Sequence, residues 1–418
     1  MAQPRVSVVM PTRNRAHFLA RAVASVQAQT WTDLEIIVSD NASTDATGRL
    51  AQTLAAEDAR IRYVRRPTAG TMVESWSFAL AHAQGELITF LSDDDAFAPT
   101  ALATAVAAMD DLHVPLAVWR YAFYYHSTWS ELSRRNHLLL QPFTGQVQGP
   151  PVAATLAKVF DRLEMVDWPQ FSNALMHRNV WARMLEMLGD PFPCAAGDCY
   201  TGLGLLLAAQ RYAVIDQPLT LYGWWGGSFT ASLARQSVAE LAAEPLPGVP
   251  LPFPFTTNLF TSALRQAQRA VAPRADAFSV NWVRYFEKTR EELRWLRSKG
   301  LAIDALEAAW QQALAQQPLQ VQHHFQLAER HDGPHPAQRL APRGWRHRLR
   351  ERINASPFLF HWETQLRPRL RLERALLLDG RRLGFADILG AARTLPRLIA
   401  RGFSRAHRRG RACTGVVI

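Results

Sequence analysis

The stretch "VSVVMPTRNRAHFLARAVASVQAQTWTDLEIIVSD", residues 6–40, changes its hydrophobic period twice. It opens with a short apolar run rich in β-branched residues, which is typical of a strand buried on both faces. Apolar residues from Leu19 to Val26 then follow the i, i+3, i+4, i+7 spacing of a helix. A second apolar run closes the stretch, so the pattern predicts strand, helix and strand in a parallel sheet.

The same alternation continues through the first 110 residues. Apolar runs at 61–64 and 86–91 predict two more strands, and helical spacing recurs near 45–56, 72–83 and 100–109. Parallel strands joined by helices require right-handed crossovers. We therefore predict an α/β fold, a doubly wound, mainly parallel sheet with flanking helices, plus a helical C-terminal extension.

Three predicted strands end in polar clusters, "PTRNR" (11–15), "SDNAST" (39–44) and "SDDD" (92–95). In doubly wound sheets, ligands bind beyond the carboxyl ends of the strands, so these clusters should converge on one site.

The first two clusters offer groups that suit a nucleotide. Thr12, Arg13 and Asn14 present donors at a helix start, where the backbone amides and the helix dipole favour an anion. Asp40 offers a carboxylate to a ring N–H or to sugar hydroxyls. The alternative is that Asn14 and Ser43 merely cap helices.

The third cluster places Asp93, Asp94 and Asp95 side by side, and like charges repel unless a positive partner is present. Mg²⁺ or Mn²⁺ would be such a partner, because these ions prefer oxygen ligands and bind through one or two carboxylates plus substrate phosphates. The calcium loop of an EF-hand, the P-loop and the dinucleotide fingerprint are all absent from the sequence.

Two segments carry a family resemblance. Residues 6–47 resemble the opening of the family 2 glycosyltransferases of GT-A fold, and "GELITFLSDDDAFAP" (85–99) resembles that family's metal-binding motif. Residues 170–230 are similar more loosely. The resemblance implies an inverting, metal-dependent transfer of a sugar from a nucleoside diphosphate sugar, with a UDP-sugar as the first candidate.

The resemblance also implies roles for the polar clusters. Thr12, Asn14 and Asp40 would contact the nucleoside, and Asp93 would approach the diphosphate. The direct metal ligand stays open among Asp93, Asp94 and Asp95: Asp94 is the first choice for it, and Asp95 is the last of the three.

Inverting transfer needs a carboxylate to take the proton of the attacking hydroxyl. "AAGDCYTGLGLLLAAQRYAVIDQPLTLYGWW" (195–225) resembles the family segment in which an acidic residue opens a helix, and Asp198 falls on that position. Asp198 is therefore the candidate catalytic base, and the alternative is an ordinary helix N-cap.

Aromatic residues follow the acidic triplet. Those at 116–129 alternate as in a packed strand, whereas Trp224 and Trp225 precede two glycines in a predicted loop and are the candidate acceptor contacts. We expect His126 to be an ordinary core or surface histidine.

Five prolines in 242–255 predict a boundary. We expect a catalytic domain at 1–235, a helical region at 256–330 and a basic helical region at 339–418.

The formal charge is +11 in total, and 339–418 alone carries 19 arginines against five acidic residues. Such a tail suits an anionic membrane surface, or simply a solvated helical face.

These features leave three classes of function open. The preferred one is a glycosyltransferase with a glycan or lipid-linked glycan acceptor, as in bacterial surface polysaccharide assembly; the others are a non-catalytic sugar-nucleotide-binding scaffold and a nucleic-acid-binding protein. Nucleic-acid binding is the weakest of the three hypotheses, because it does not explain the acidic strand ends.

Three cysteines and the lack of a long apolar run predict a cytoplasmic protein, at the inner face of the membrane if the tail binds there.

Overall fold

The computed structural model describes residues 3–129, 132–190, 193, 196–226, 246–251, 253, 255–272, 274–298, 303–331 and 376–399. Within these residues, eleven strands form one mixed sheet. They are β1 (Val6–Thr12), β2 (Leu34–Asp40), β3 (Ile61–Arg65), β4 (Leu87–Phe90), β5 (Ala96–Phe97), β6 (Leu116–Tyr125), β7 (His137–Leu140), β8 (Val147–Gln148), β9 (Ala174–His177), β10 (Ala213–Trp224) and β11 (Leu376–Asp379).

Helices cover the sheet and extend beyond it. They are α1 (Ala16–Gln27), α2 (Thr47–Glu57), α3 (Met72–Ala81), α4 (Ala101–Leu112), α5 (Val152–Arg162), α6 (Arg178–Leu188), α7 (Gly197–Ala209), α8 (Thr256–Ala270), α9 (Trp282–Ser298), α10 (Asp304–Ala315), α11 (Leu319–His331), α12 (Gly380–Leu383) and α13 (Ile388–Leu398). The four strands and four helices predicted in the first 110 residues are confirmed, as is a helical C-terminal region.

The strand order creates a crevice between β1 and β4. The first four strands are parallel in the order β3-β2-β1-β4, so the chain moves outward from β1 in one direction and then returns to its other side. The long β6–β10 pairing is also parallel, whereas the antiparallel pairings are short. The predicted α/β fold is therefore confirmed, with a reversal of strand order where ligands bind in such sheets.

The two faces of the sheet bury different helices. On one face, α1 and α4 pack on the first strands through residues such as Leu19 and Leu102. On the other face, a larger core continues from Phe160 and Leu203 into Phe286 of α9. The helical region after residue 255 thus shares one hydrophobic core with the sheet.

The segment 376–399 also belongs to the sheet and its coverings. Strand β11 pairs antiparallel with β7, and α13 buries Leu395 against the sheet. An ion pair of 2.9 Å between Arg21 and Asp387 fixes the start of α13 beside α1. In this part of 339–418 the expectation of a membrane-facing helix is wrong, because its apolar face is already buried in the protein.

The other arginine-rich stretches of the predicted basic region, and residues 242–245, 252 and 254 of the predicted boundary, lie outside the described residues. Among the helices that the structure does describe, each is too short or too polar to span a bilayer.

Candidate functional site

A hydrogen bond joins the end of β1 to the loop that follows β4, across the crevice between these two strands. Thr12 is the last residue of β1, and its Oγ1 donates to Oδ2 of Asp93 over 2.7 Å. Asp93 is only 8% exposed. Burial, together with the neighbouring Asp94 carboxylate, raises the pKa of Asp93 to about 7. The two predicted residues are thus brought together, and the site carries carboxyl groups that burial disfavours as anions.

The other two members of the acidic triplet differ in what they contact. Asp95 is 1% exposed; its Oδ1 accepts the Gly223 N–H over 2.8 Å, and its Oδ2 has no hydrogen-bond partner among the described residues. Burial, reinforced by Asp94, raises the pKa of Asp95 well above its usual value. Asp94 is half-buried, and the surrounding protein is dense enough to raise its pKa by desolvation.

The loop that carries the triplet is held against β10 by a close backbone approach. A Cβ atom at Gly223 would lie 1.9 Å from the Asp94 carbonyl oxygen and 2.6 Å from Nε2 of His126. That nitrogen lies 3.0 Å from the same carbonyl, which makes it the N–H donor of the ring. Burial lowers the pKa of His126 to about 4, so this histidine is a neutral support for the loop.

Arg15 and Trp225 are the positive and aromatic groups of the site. The Arg15 guanidinium lies 4.2 Å from the centre of the Trp225 ring. Its positive charge partly offsets the rise in the pKa of Asp93 and Asp94 that burial causes. The Trp225 indole N–H also lowers the pKa of Asp94, although it forms no well-aligned hydrogen bond. Arg15 was not predicted as a site residue, and the only feature of the sequence that pointed to it was its position in "PTRNR" (11–15).

The loops after β1 and β2 are tied together by Asn14 and Ser43. The Asn14 N–H donates to Ser43 Oγ over 2.9 Å, and Asn14 Oδ1 accepts the Thr44 N–H over 2.8 Å. Helix α1 is preceded by Arg15 and α2 by Ala46, so the alternative that Asn14 and Ser43 cap these helices is wrong. Arg13 is exposed on the outer surface of the same loop.

Asp40 lies beneath the surface at the end of β2. Its carboxylate accepts hydrogen bonds from the Ser43 N–H over 2.7 Å and the Tyr63 hydroxyl over 2.9 Å, and it pairs with Arg65. Asp40 itself is fully buried, whereas the Arg65 side chain is 44% exposed. Arg65 therefore forms the surface that covers the predicted nucleoside-binding carboxylate.

Asp198 is the second residue of α7. Its Oδ2 accepts from Gln170 Nε2 and its Oδ1 from the Cys199 N–H, both over 2.9 Å. Ala196 precedes the helix as its N-cap, so the alternative that Asp198 is the N-cap is wrong. Burial raises the pKa of Asp198.

Tyr222 lies near the end of β10 and is 38% exposed. Desolvation by the surrounding protein raises the pKa of its phenol, and the charges of Asp95, Asp94 and Asp198 raise it further. The candidate base and the acidic triplet are therefore both near enough to this strand end for their charges to act on one phenol.

The two candidate acceptor tryptophans point in different directions. Trp224 is the last residue of β10, is 2% exposed and stacks on Phe123 with a centroid distance of 4.5 Å. The expectation that Trp224 contacts an acceptor is therefore wrong, because its ring lies inside an aromatic cluster. Trp225 lies on the opposite side, over Arg15 and 5.3 Å from the Phe18 ring.

The site fits a divalent cation that takes part of its coordination from a substrate. Asp95 Oδ2 is buried without a partner in the described part of the chain, and Asp94 is partly open to solvent. Across the described residues, no three His, Cys, Asp or Glu side chains are grouped so that they could hold a metal by themselves. Ligand oxygens from a bound phosphate would complete such a site.

Residues 7–160 match Glycosyl transferase family 2. The match includes β1 to β4 and the acidic triplet, that is, the crevice described above. Residues 7–160 are therefore similar to family 2 of the glycosyltransferases, the family that the sequence motifs resemble.

Curated relatives match the same part of the chain. A GalNAc(5)-diNAcBac-PP-undecaprenol beta-1,3-glucosyltransferase of Campylobacter jejuni is 41% identical over 102 residues, which are 24% of this chain and 33% of the relative. The putative glycosyltransferase EpsE of Bacillus subtilis is 34% identical over 108 residues, which are 26% of this chain and 39% of the relative. The chain thus spans little more than a third of the length of these relatives.

A solved structure aligns more widely but at low identity. The crystal structure of S. aureus TarS 1-349 in complex with UDP-GlcNAc aligns over 74% of this chain and 79% of that chain, with 17% identity and a TM-score of 0.48.

Proposed function

We propose that the chain is an inverting, metal-dependent glycosyltransferase that moves a sugar from a nucleoside diphosphate sugar to a hydroxyl of a glycan or lipid-linked glycan. The observation that carries the proposal is the buried acidic triplet joined to the end of β1 by the hydrogen bond between Thr12 and Asp93, in a chain whose residues 7–160 match family 2. A UDP-sugar is the first donor to test.

The nucleoside would bind at the ends of β1 and β2. Thr12, Arg13 and Asn14 line the entrance of α1, where the backbone amides and the helix dipole favour the diphosphate. Asp40 is buried beneath Arg65, so it would contact the nucleoside directly only if Arg65 moved. With Arg65 in place, Asp40 would act indirectly, by holding the loop of Ser43 through a hydrogen bond.

Asp93 would help to position the diphosphate through its bond to Thr12, and Asp94 and Asp95 would hold Mn²⁺ or Mg²⁺. When bound, the cation would offset the negative charge that develops on the leaving diphosphate. The raised pKa values of the three carboxyl groups fit this role, since burial disfavours their ionisation and a cation would reverse that preference.

Asp198 would take the proton from the attacking hydroxyl in a single displacement at the anomeric carbon. Its raised pKa brings it closer to the operating pH, which favours general-base catalysis. Gln170 holds the carboxylate in a fixed orientation, and Trp225 offers an aromatic edge beside the triplet for a sugar ring.

The acceptor class rests on the relatives. The name of the Campylobacter jejuni protein describes a glucosyltransferase and a PP-undecaprenol-linked glycan, which supports a lipid-linked glycan acceptor in bacterial polysaccharide assembly. Contact of the arginine-rich stretches 339–375 and 400–418 with an anionic membrane would bring the site to such an acceptor, and their positive charge supports that contact.

Asp198→Asn tests this proposal against a binding scaffold. We expect the variant to lose at least about 100-fold in kcat, because general-base catalysis contributes about that much or more. Donor binding should stay within about twofold of wild type, since the amide keeps the shape of the carboxylate. The measurement is donor hydrolysis and transfer, beside calorimetric binding of the donor. Equal turnover in the variant contradicts the role of Asp198, and binding without turnover in the wild type favours the scaffold.

A further inference from the structure

Arg15 is a cation that faces the acidic triplet without pairing with it. It lowers the pKa of Asp93 and Asp94 through its charge, yet it forms no ion pair with a carboxylate in the described part of the chain. Its Nη1 is buried and lacks a hydrogen-bond partner among the same residues. A buried guanidinium nitrogen without a partner is costly, so the site is incomplete as it stands.

The surroundings hold this guanidinium in place. Arg15 precedes the first turn of α1, and its backbone N–H donates to Thr47 Oγ1 over 2.9 Å, which ties it to α2. The Trp225 ring covers the guanidinium at 4.2 Å, and its indole Nε1 is also buried without a partner among the described residues. Two donors from distant parts of the chain therefore stand side by side next to the carboxylates.

Anionic oxygens would satisfy both donors at once. A planar guanidinium matches two phosphate oxygens, and an indole N–H can donate to a third. The neighbouring carboxylates repel a bare anion, so a phosphate there would need either Arg15 or a cation to offset them.

We propose that Arg15, covered by Trp225, is a diphosphate-binding residue that holds the donor's phosphates beside the acidic triplet. The inference rests on the proposed function and deepens it. Arg15 supplies a positive charge of the protein itself at the diphosphate. Part of the affinity for a nucleoside diphosphate therefore does not depend on a metal.

The test is calorimetric titration of the full chain with UDP, GDP and dTDP, each beside its nucleoside, in EDTA and then in Mn²⁺. We expect Arg15→Gln to weaken the diphosphate that wild type binds by about 10- to 100-fold in EDTA. Mn²⁺ should restore part of that loss, and affinity for the matching nucleoside should not change. Arg49→Gln is the matched control, because Arg49 is exposed on α2 and outside the site.

A merely structural Arg15 would give a different pattern. In that case Arg15→Gln would lower the melting temperature and leave the ratio of diphosphate to nucleoside affinity as in wild type, which overturns the inference. If Arg15→Gln does not fold, Arg15→Lys decides: it keeps the charge but loses the planar fork, so an unchanged ratio overturns the inference and a reduced ratio supports it. Failure of wild type to bind any of the three diphosphates would reject the proposed function itself.

Discussion

Gly223 is the residue on which the position of the acidic triplet depends most directly. It has no side chain where the Asp94 carbonyl oxygen and His126 approach β10, and its N–H holds Asp95. A single carbon added there must displace the loop that carries the candidate metal ligands.

We therefore expect Gly223→Ala to cost about 1–3 kcal/mol of unfolding free energy, the usual range for overpacking, and to weaken nucleotide binding in Mn²⁺. Gly149→Ala is the control, because a Cβ there meets its nearest atom at an ordinary 3.7 Å. Chemical denaturation and calorimetry measure the two effects. If both alanine variants bind and unfold alike, the close approach does not hold the triplet.

At this scale the sequence predicted the carboxylates better than their partners. Asp93, Asp94 and Asp198 were predicted as site residues because acidic residues at strand and helix ends are conspicuous, and their roles remain predictions. The sequence did not show that Arg15, rather than Arg13, faces the site. That choice depends on the left-handed backbone of Asn14, which has a φ of 54°. Trp224 was misassigned because β10 continues through it, so strand alternation sends it to the opposite face from Trp225.

Among the elements, the C-terminal pair β11 and α13 carries the clearest structural consequence. Helix α13 covers part of the sheet and contacts α1, the helix that begins directly after Arg15. The end of the described chain therefore supports the crevice from outside.

Leu395→Ala should cost about 2–5 kcal/mol of unfolding free energy, because Leu395 is fully buried under α13 and its removal leaves a cavity. Arg393→Ala, at an exposed position of the same helix, should change the free energy by about 0.5 kcal/mol or less. Denaturant unfolding of both variants checks this. Similar small effects would mean that α13 does not pack on the sheet in solution.

The early elements could be predicted because their strands and helices alternate locally and differ in hydrophobic period. Strand β11 could not, since its partner β7 lies more than 200 residues earlier and the pairing depends on long-range packing. The arginines around 376–399 instead suggested an interfacial helix, and periodicity alone does not say what covers an apolar face.

At the scale of the whole molecule, buried ionisable groups connect α9 to the segment that follows α5 and to α8. Lys288 of α9 lies 3.5 Å from Glu164, which follows α5, and Thr257 of α8 donates twice to Glu292 Oε1. Burial raises the pKa of Glu292 to about 7 and lowers that of Lys288 to about 7.

These shifts predict a pH dependence of stability. Between pH 4.5 and 7, Glu292 is protonated in the folded chain and ionised in the unfolded chain, so folding takes up a proton and stability falls as the pH rises. Lys288 acts in the opposite direction and mainly above pH 7. Glu292→Gln keeps an acceptor for Thr257, and we expect it to remove this decline. A parallel pH profile of melting temperature in both proteins would contradict the shift.

The central claim is that the crevice between β1 and β4 binds a nucleoside diphosphate together with a divalent metal. The most direct measurement is calorimetric titration of the chain with UDP, GDP and dTDP, with and without Mn²⁺, in wild type and in Asp94→Asn. Asp110→Asn serves as the control, because Asp110 is an exposed residue of α4 paired with Arg5. We predict that one diphosphate binds more tightly in Mn²⁺ and that Asp94→Asn alone loses this gain. No binding in wild type, or an equal gain in Asp94→Asn, would contradict the account.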